Sequence, residues 1–231
     1  MSRSVFCAMW LVAAPLLASA QWTAAAYIGK AHTADADIRV TSGTGTDVIF
    51  NKVDFEDRSF QGPLYYGLRA GYMWTSRLGL EGEFIHMKAF ARVSDPVTFS
   101  GAFPTPSTAN TTVPGDVLPQ YGVSHGLNLL LGNFVVRHKL TRSLAVGLRA
   151  GLGTAIPHPE IRAFGATLDE YLVQGAAVHF AGGGEFDLNR RLFWFGEYKF
   201  TTTRQRFDLG SATVENRFVT HHLATGLGLR F

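Results

Sequence analysis

VENRFVTHHLATGLGLRF, Val214 to Phe231, is the stretch whose reading decides the fold. Counted back from its end, Phe231, Leu229, Leu227, Thr225 and Leu223 alternate with Arg230, Gly228, Gly226, Ala224 and His222. A period of two held for about ten residues is what a tilted strand needs to cross a bilayer. One face is leucine-rich; the other is glycine, imidazole and guanidinium. That division suits a strand with lipid on one side and a crowded polar interior on the other.

The Phe at the end of this strand resembles the carboxy-terminal signature of bacterial outer-membrane barrels, which implies delivery to the outer-membrane assembly machinery through that strand. The other end agrees. MSRSVFCAMWLVAAPLLASAQ has Arg3, an apolar core from Val5 to Leu17 and Ala18-Ser19-Ala20 before Gln21, the pattern of a secretory signal peptide over residues 1–20. Residues 21–231 are then one domain of moderate size, 46% hydrophobic over the whole chain, with 25 glycines and 13% aromatics. No helix-length apolar run stands in the body of the chain, so a helix bundle in the membrane is excluded while a barrel, whose strands alternate, is not. Cys7, the single cysteine, lies in the leader, leaving neither a disulfide framework nor a thiolate site. A net charge of +3, near +2 without Arg3, is too small and too dispersed for a nucleic-acid partner, and a monomer is expected.

Working back from the last strand, the chain reads as an eight-stranded antiparallel up-and-down transmembrane β-barrel of a Gram-negative outer membrane. Strands are expected over Trp22–Ala31, Leu64–Trp74, Gly79–Arg92, Val123–His138, Leu144–Ile156, Tyr171–Phe186, Leu192–Phe207 and the final stretch. DIRV and DVIFNKV are expected to extend strands above the membrane, and Val93–Tyr121, rich in Pro, Ser, Thr and Gly, reads as a long loop. Connections alternate long and short, as in barrels with short periplasmic turns and longer extracellular loops. A soluble barrel of the lipocalin type predicts leucines and aromatics inward and charges outward; here the faces are set the other way. With the leucine and aromatic faces on lipid, Arg69, Glu81, Glu83, Arg149, His179, Glu185, Glu197, Lys199 and His222 collect inside. In so narrow a lumen they read as a paired network rather than as a pore lining.

Three polar groupings fall outside that network. His86 and Lys88 share parity with Phe84 and so point outward, or else a bulge re-aims them near the upper rim. His125 and Asn128 begin the strand after the long loop, and His158 and Glu160 lie just past the upper end of Leu144–Ile156. All gather at the depth of lipopolysaccharide head groups. Two His and a Glu suit either a divalent metal or acid–base work.

The runs YYGLRAGYMW, LGLEGEFIHMK, VSHGLNLLLGN, GLGTAIPHPE and WFGEYKF, in that order between Leu64 and Phe200, resemble the lipid A oxidase family of outer-membrane barrels. The family pattern carries a His directly before the Asn of the third run; here that position is Leu127, with His125 nearby. The resemblance implies an O2-dependent oxidation of the proximal glucosamine of lipid A to 2-aminogluconate, with release of hydrogen peroxide. It favours His86, His158 and Glu160 as the catalytic group and Lys88, His125 and Asn128 as substrate contacts, Lys88 holding a lipid A phosphate. No nucleotide fingerprint is present, so a divalent metal held by His86, His158 and Glu160 is the simplest cofactor. Two other readings stay open: a non-catalytic barrel for adhesion or envelope integrity, and a lipid A deacylase-like hydrolase using Ser124 and His125.

Overall fold

The computed structural model describes residues 21–103 and 111–231, so the expected leader lies outside the described residues. Eight long strands form the barrel: β1 (Gln21–Thr33), β2 (Tyr66–Met73), β3 (Leu78–His86), β4 (Leu127–Lys139), β5 (Leu144–Pro157), β6 (Gln174–Asp187), β7 (Leu192–Asp208) and β8 (Ala212–Arg230). Each pairs antiparallel with the next, and β1 closes the ring on β8, in register from Thr23 opposite Arg230 to Thr33 opposite Thr220. At one end three turns share a pattern, TSRL, TRSL and NRRL. In each the first side chain, Thr75, Thr141 or Asn189, accepts the amides two and three residues on, at 2.8 to 3.3 Å. That local bond holds a tight turn without borrowing from the ladder. At the other end are residues 34–65, 87–103, 111–126 and 158–173 and the short 209–211 hairpin.

Side-chain direction follows the period of two. Leu68, Leu80, Phe134, Leu148, Phe180, Trp194, Leu223 and Leu227 stand exposed around the outside, and Trp22 packs at a tilt against Tyr72 by the short turns (ring centres 4.9 Å). An apolar exterior this continuous is stable only against lipid.

Inside, Glu83 accepts from Tyr27 Oη (2.6 Å), from Asn133 Nδ2 (2.8 Å) and from the Lys199 ammonium. Lys199 lies 2.9 Å from Glu197, which also meets Arg69 (2.8 Å) and Arg149 (3.2 Å). Arg149 reaches Glu81 at 3.0 Å, and lower down Arg137 and Arg230 hold Glu185 and Asp187. Between these layers the remaining space near Arg69, Glu81 and Arg149 is a pocket of about 30 Å³, room for a water or two rather than a channel. All nine residues expected inside are there.

Two details differ from the sequence reading. β7 is aromatic on both faces: Trp194, Tyr198 and Phe200 point out, while Phe193 and Phe195 point in and lie under Arg230 (4.1 Å) and Arg69 (4.3 Å). A ring face can stand in for a carboxylate against a desolvated guanidinium. On β4, Leu127, Leu129 and Leu131 also point inward, because the upper lumen is capped by an apolar core instead of water.

That cap is a second piece of folded structure. The upper ends of β7 and β8 continue beyond the barrel and are joined by strands Ala36–Ser42, Asp47–Val53 and Val97–Ala102. A separate sheet of Phe55–Glu56, Ala89–Ala91, Gln120–Val123, Glu160–Ala163 and Ala166–Asp169 packs against them around Ile38, Val40, Phe50, Tyr121, Phe207 and Phe218. The expected loop 93–121 thus holds strands. The continuous strands expected over 79–92 and 123–138 each break at the rim, at Met87–Lys88 and Ser124–Gly126, and change sheets there.

Candidate functional site

The break between strand Gln120–Val123 and β4 sets the rim geometry. Gly126 adopts φ +122°, a conformation that favours glycine, and turns the chain at His125. β5 ends at Pro157, and the next amide, His158 N, donates to Gly126 O at 3.0 Å. The two corners are pinned together, and Glu160 follows as the first residue of a strand paired with Gln120–Val123. His125, His158 and Glu160 consequently converge, each offering a ligand atom, all within 4.8 Å of one another.

Neighbours fix their attitudes. Glu160 accepts from Gln120 Nε2 (3.1 Å) and from the Ser124 hydroxyl, and lies 3.3 Å from His125 Nδ1. The His158 ring stands edge-on to His125 (4.7 Å) and to Tyr171 (4.4 Å). Its Nδ1 is buried without a hydrogen-bond partner, 3.6 Å from Asp169 Oδ1. Two imidazoles and a carboxylate with an unsatisfied buried nitrogen fit a divalent first-row ion. They fit a serine hydrolase poorly. A Ser–His–acid relay needs the Ser on one ring nitrogen and the acid on the other; here Ser124 Oγ (3.0 Å) and Glu160 both approach Nδ1 of His125, and the Ser124 hydroxyl turns to Glu160.

His86 and Asn128 form a neighbouring layer. His86 Nδ1 meets Asn128 Oδ1 at 2.8 Å, Asn128 Nδ2 donates to Ile156 O at 3.1 Å, and the His86 ring stacks on Tyr66 at 5.0 Å. His86 does point outward, as its parity with Phe84 implies, but the Gly126 corner covers it: a Cβ on Gly126 would come within 2.6 Å of the imidazole. The structure therefore brings His125, rather than His86, to His158 and Glu160, and puts His86 and Asn128 under the corner that positions them. Lys88 is buried, its ammonium held by Gln61 O (2.6 Å) and Gly62 O (3.2 Å). Burial, and then the charge of Arg58, press its pKa below the ordinary lysine value. It fastens the 34–65 loop rather than standing free for a phosphate. Gln120, Asp169 and Tyr171 escaped the sequence reading. Phe164-Gly165 between two short alternating runs was the available signal, since that hairpin sets Glu160 opposite Asp169.

A closed eight-stranded barrel with a lipid-facing exterior, tight turns at one end and a folded cap at the other is an outer-membrane barrel, its turns periplasmic and its cap outside the cell. No protein-family model matches the chain, and no curated protein matches it in sequence. Among solved structures it is similar to the outer membrane protein AlkL in DMPC bilayers, 12% identical over 92% of this chain and 90% of that one, with TM-score 0.48. It is likewise similar to Neisserial surface protein A (13% identical, 92% and 99% covered, TM-score 0.47) and to Ail, the attachment invasion locus protein of Yersinia pestis (15%, 90% and 98%, TM-score 0.38). At such identities and TM-scores the likeness carries nothing about substrate or partner, and the barrel assignment rests on the strand register above.

Proposed function

We propose that this barrel modifies lipopolysaccharide in the outer leaflet, oxidising the proximal glucosamine of lipid A with O2 through a metal centre at its extracellular rim. The observation that carries the reading is the convergence of His125, His158 and Glu160 at that rim. In the reaction the C1–H and O–H bonds of the sugar hemiacetal break, and two electrons and two protons pass to O2 as hydrogen peroxide. The lactone left behind takes up water to give the acid. His125, His158 and Glu160 would hold a divalent first-row ion, which supplies Lewis acidity and a redox partner when bound. Gln120 and Ser124 fix the carboxylate, and Tyr171 with Gly126 fixes the imidazoles. Asp169, exposed beside His158, is the carboxylate we assign to the hydroxyl proton. On the membrane-facing wall formed by β4 to β7, Phe134, Leu148, Ala150, Phe180 and Gly182 line a furrow of about 340 Å³ suited to an acyl chain.

Mass spectrometry of lipid A from cells with and without the protein tests the reading: a one-oxygen gain is expected only with it. His158→Ala/Glu160→Ala should abolish the gain and lower the metal bound by purified protein, while the barrel still migrates as a folded, heat-modifiable band. A double variant that oxidises at the wild-type rate would overturn the site. A wild type without the gain would overturn the reaction in favour of a non-catalytic barrel.

A further inference from the structure

At the upper ends of the last two strands, Arg204 of β7 and Arg217 of β8 stand directly across from each other in register, both exposed. Like charges so placed repel across a ladder. One rung higher the same two strands oppose Arg206 to Glu215, which meet at 3.1 Å, so the pairing here can supply a carboxylate and does so there. Among the described residues, neither Arg204 nor Arg217 has an acidic partner within ion-pair distance; of the nearby acids, Glu215 pairs with Arg206 and Asp37 accepts from Lys52 N at 2.9 Å.

Height decides what anion is available. Below the pair the outward residues of β7 are Thr202, Phe200, Tyr198, Gly196, Trp194 and Leu192. At roughly 3.4 Å per residue and a tilt of about 40°, Arg204 lies about 31 Å above Leu192, against an apolar band about 25 Å tall. The two guanidinium groups therefore stand just above the hydrocarbon, at the depth of lipid phosphates. They open onto a groove of about 680 Å³ lined also by Arg39 and Lys52 and by the carboxylates Asp35, Asp37 and Glu215.

We propose that Arg204 and Arg217 form a fixed clamp for a phosphate of an outer-leaflet lipid, the guanidinium forks holding it from two sides. The clamp lies on β7 and β8, away from the β4–β5 corner that builds the His125 site, and stands whether or not that site is catalytic.

The test uses purified full-length barrel in neutral detergent, wild type and Arg204→Gln/Arg217→Gln, with diphosphorylated lipid A, dephosphorylated lipid A and inorganic phosphate as probes. Binding is read by native mass spectrometry and by the shift of the thermal midpoint. Diphosphorylated lipid A should bind the wild type and raise its midpoint, and bind the variant about tenfold more weakly or worse. Dephosphorylated lipid A should shift wild type and variant equally, through contacts that do not involve the clamp, and inorganic phosphate should shift neither. Equal lipid A binding by the variant would overturn the clamp, and an equal shift with inorganic phosphate would overturn the lipid source. Arg217→Glu, which turns the repelling pair into an ion pair, gives a second folded variant that should also lose lipid A.

Discussion

Replacing Lys199 with methionine removes the cation at the centre of the lumen. The ammonium sits within hydrogen-bond reach of Glu83 and at 2.9 and 3.0 Å from Glu197 and Tyr27 Oη, with the side chain and both carboxylates almost fully shielded from solvent. Glu197 keeps Arg69 and Arg149 after the change. Glu83 keeps two hydrogen bonds, from Tyr27 and Asn133, but its remaining guanidinium, Arg69 Nε, is 3.9 Å away. The variant thus holds a buried carboxylate without its cation, at a cost of about 3–5 kcal/mol. At roughly 2–4 °C per kcal/mol for a chain of this size, the midpoint should fall by about 10 °C. Lys199→Met/Glu83→Gln removes the stranded charge as well and should recover most of the loss, a coupling of about 2 kcal/mol or more between the two positions. The fraction of compact, heat-modifiable band against temperature, with near-UV circular dichroism alongside, reads both. A Lys199→Met midpoint equal to wild type, or a double variant no more stable than Lys199→Met, would refute the pairing argument.

Protease added to intact cells should clip within residues 94–120 and spare the turns at Thr75–Leu78 and Asp187–Arg191; cleavage at the turns alone would invert the topology. Gly126→Ala should lower lipid A oxidation while the barrel stays folded, because the added methyl meets His86 and Asn128 at 2.6 Å and displaces the His125 corner; comparison of turnover with the folded fraction checks it. Asp57, in the 34–65 loop, accepts from Thr33 N (3.0 Å) and Thr33 Oγ1 (2.8 Å), yet burial raises its pKa above the ordinary aspartate value despite those bonds. A carboxyl group with a raised folded-state pKa favours the fold below its unfolded pKa and loses that advantage as pH rises through the folded one. Asp57→Asn should therefore hold or raise the midpoint at neutral pH, with the gap closing as pH falls below the carboxylate range; a gap that widens in acid would contradict the assignment.

Much of the barrel was legible residue by residue. A strand places alternate side chains on opposite faces whatever surrounds it, so Leu223, Leu227 and Leu229 against His222, Ala224 and Arg230 already separate lipid from lumen. The same rule put Arg69, Glu83, Glu197 and Lys199 in one interior before any register was known, and the alternation of short and long connections separated the turn end from the loop end. What the chain alone left open depends on where strands break and on which residues meet across a ladder. His86 and His125 both carry an imidazole near the rim, and only the fold of Ser124–Gly126 over β3 decides that His125 joins His158 and Glu160 while His86 lies underneath. Phe193 and Phe195 point inward because arginines from β8 and β2 lie over them, a partnership absent from their own strand. The opposition of Arg204 to Arg217 is likewise a matter of register between two strands, since a slip of one residue would turn one of the two side chains to the other face. Local chemistry determined the alternation and the turns; pairing across the sheet and the packing of the cap determined which charges and imidazoles share a site.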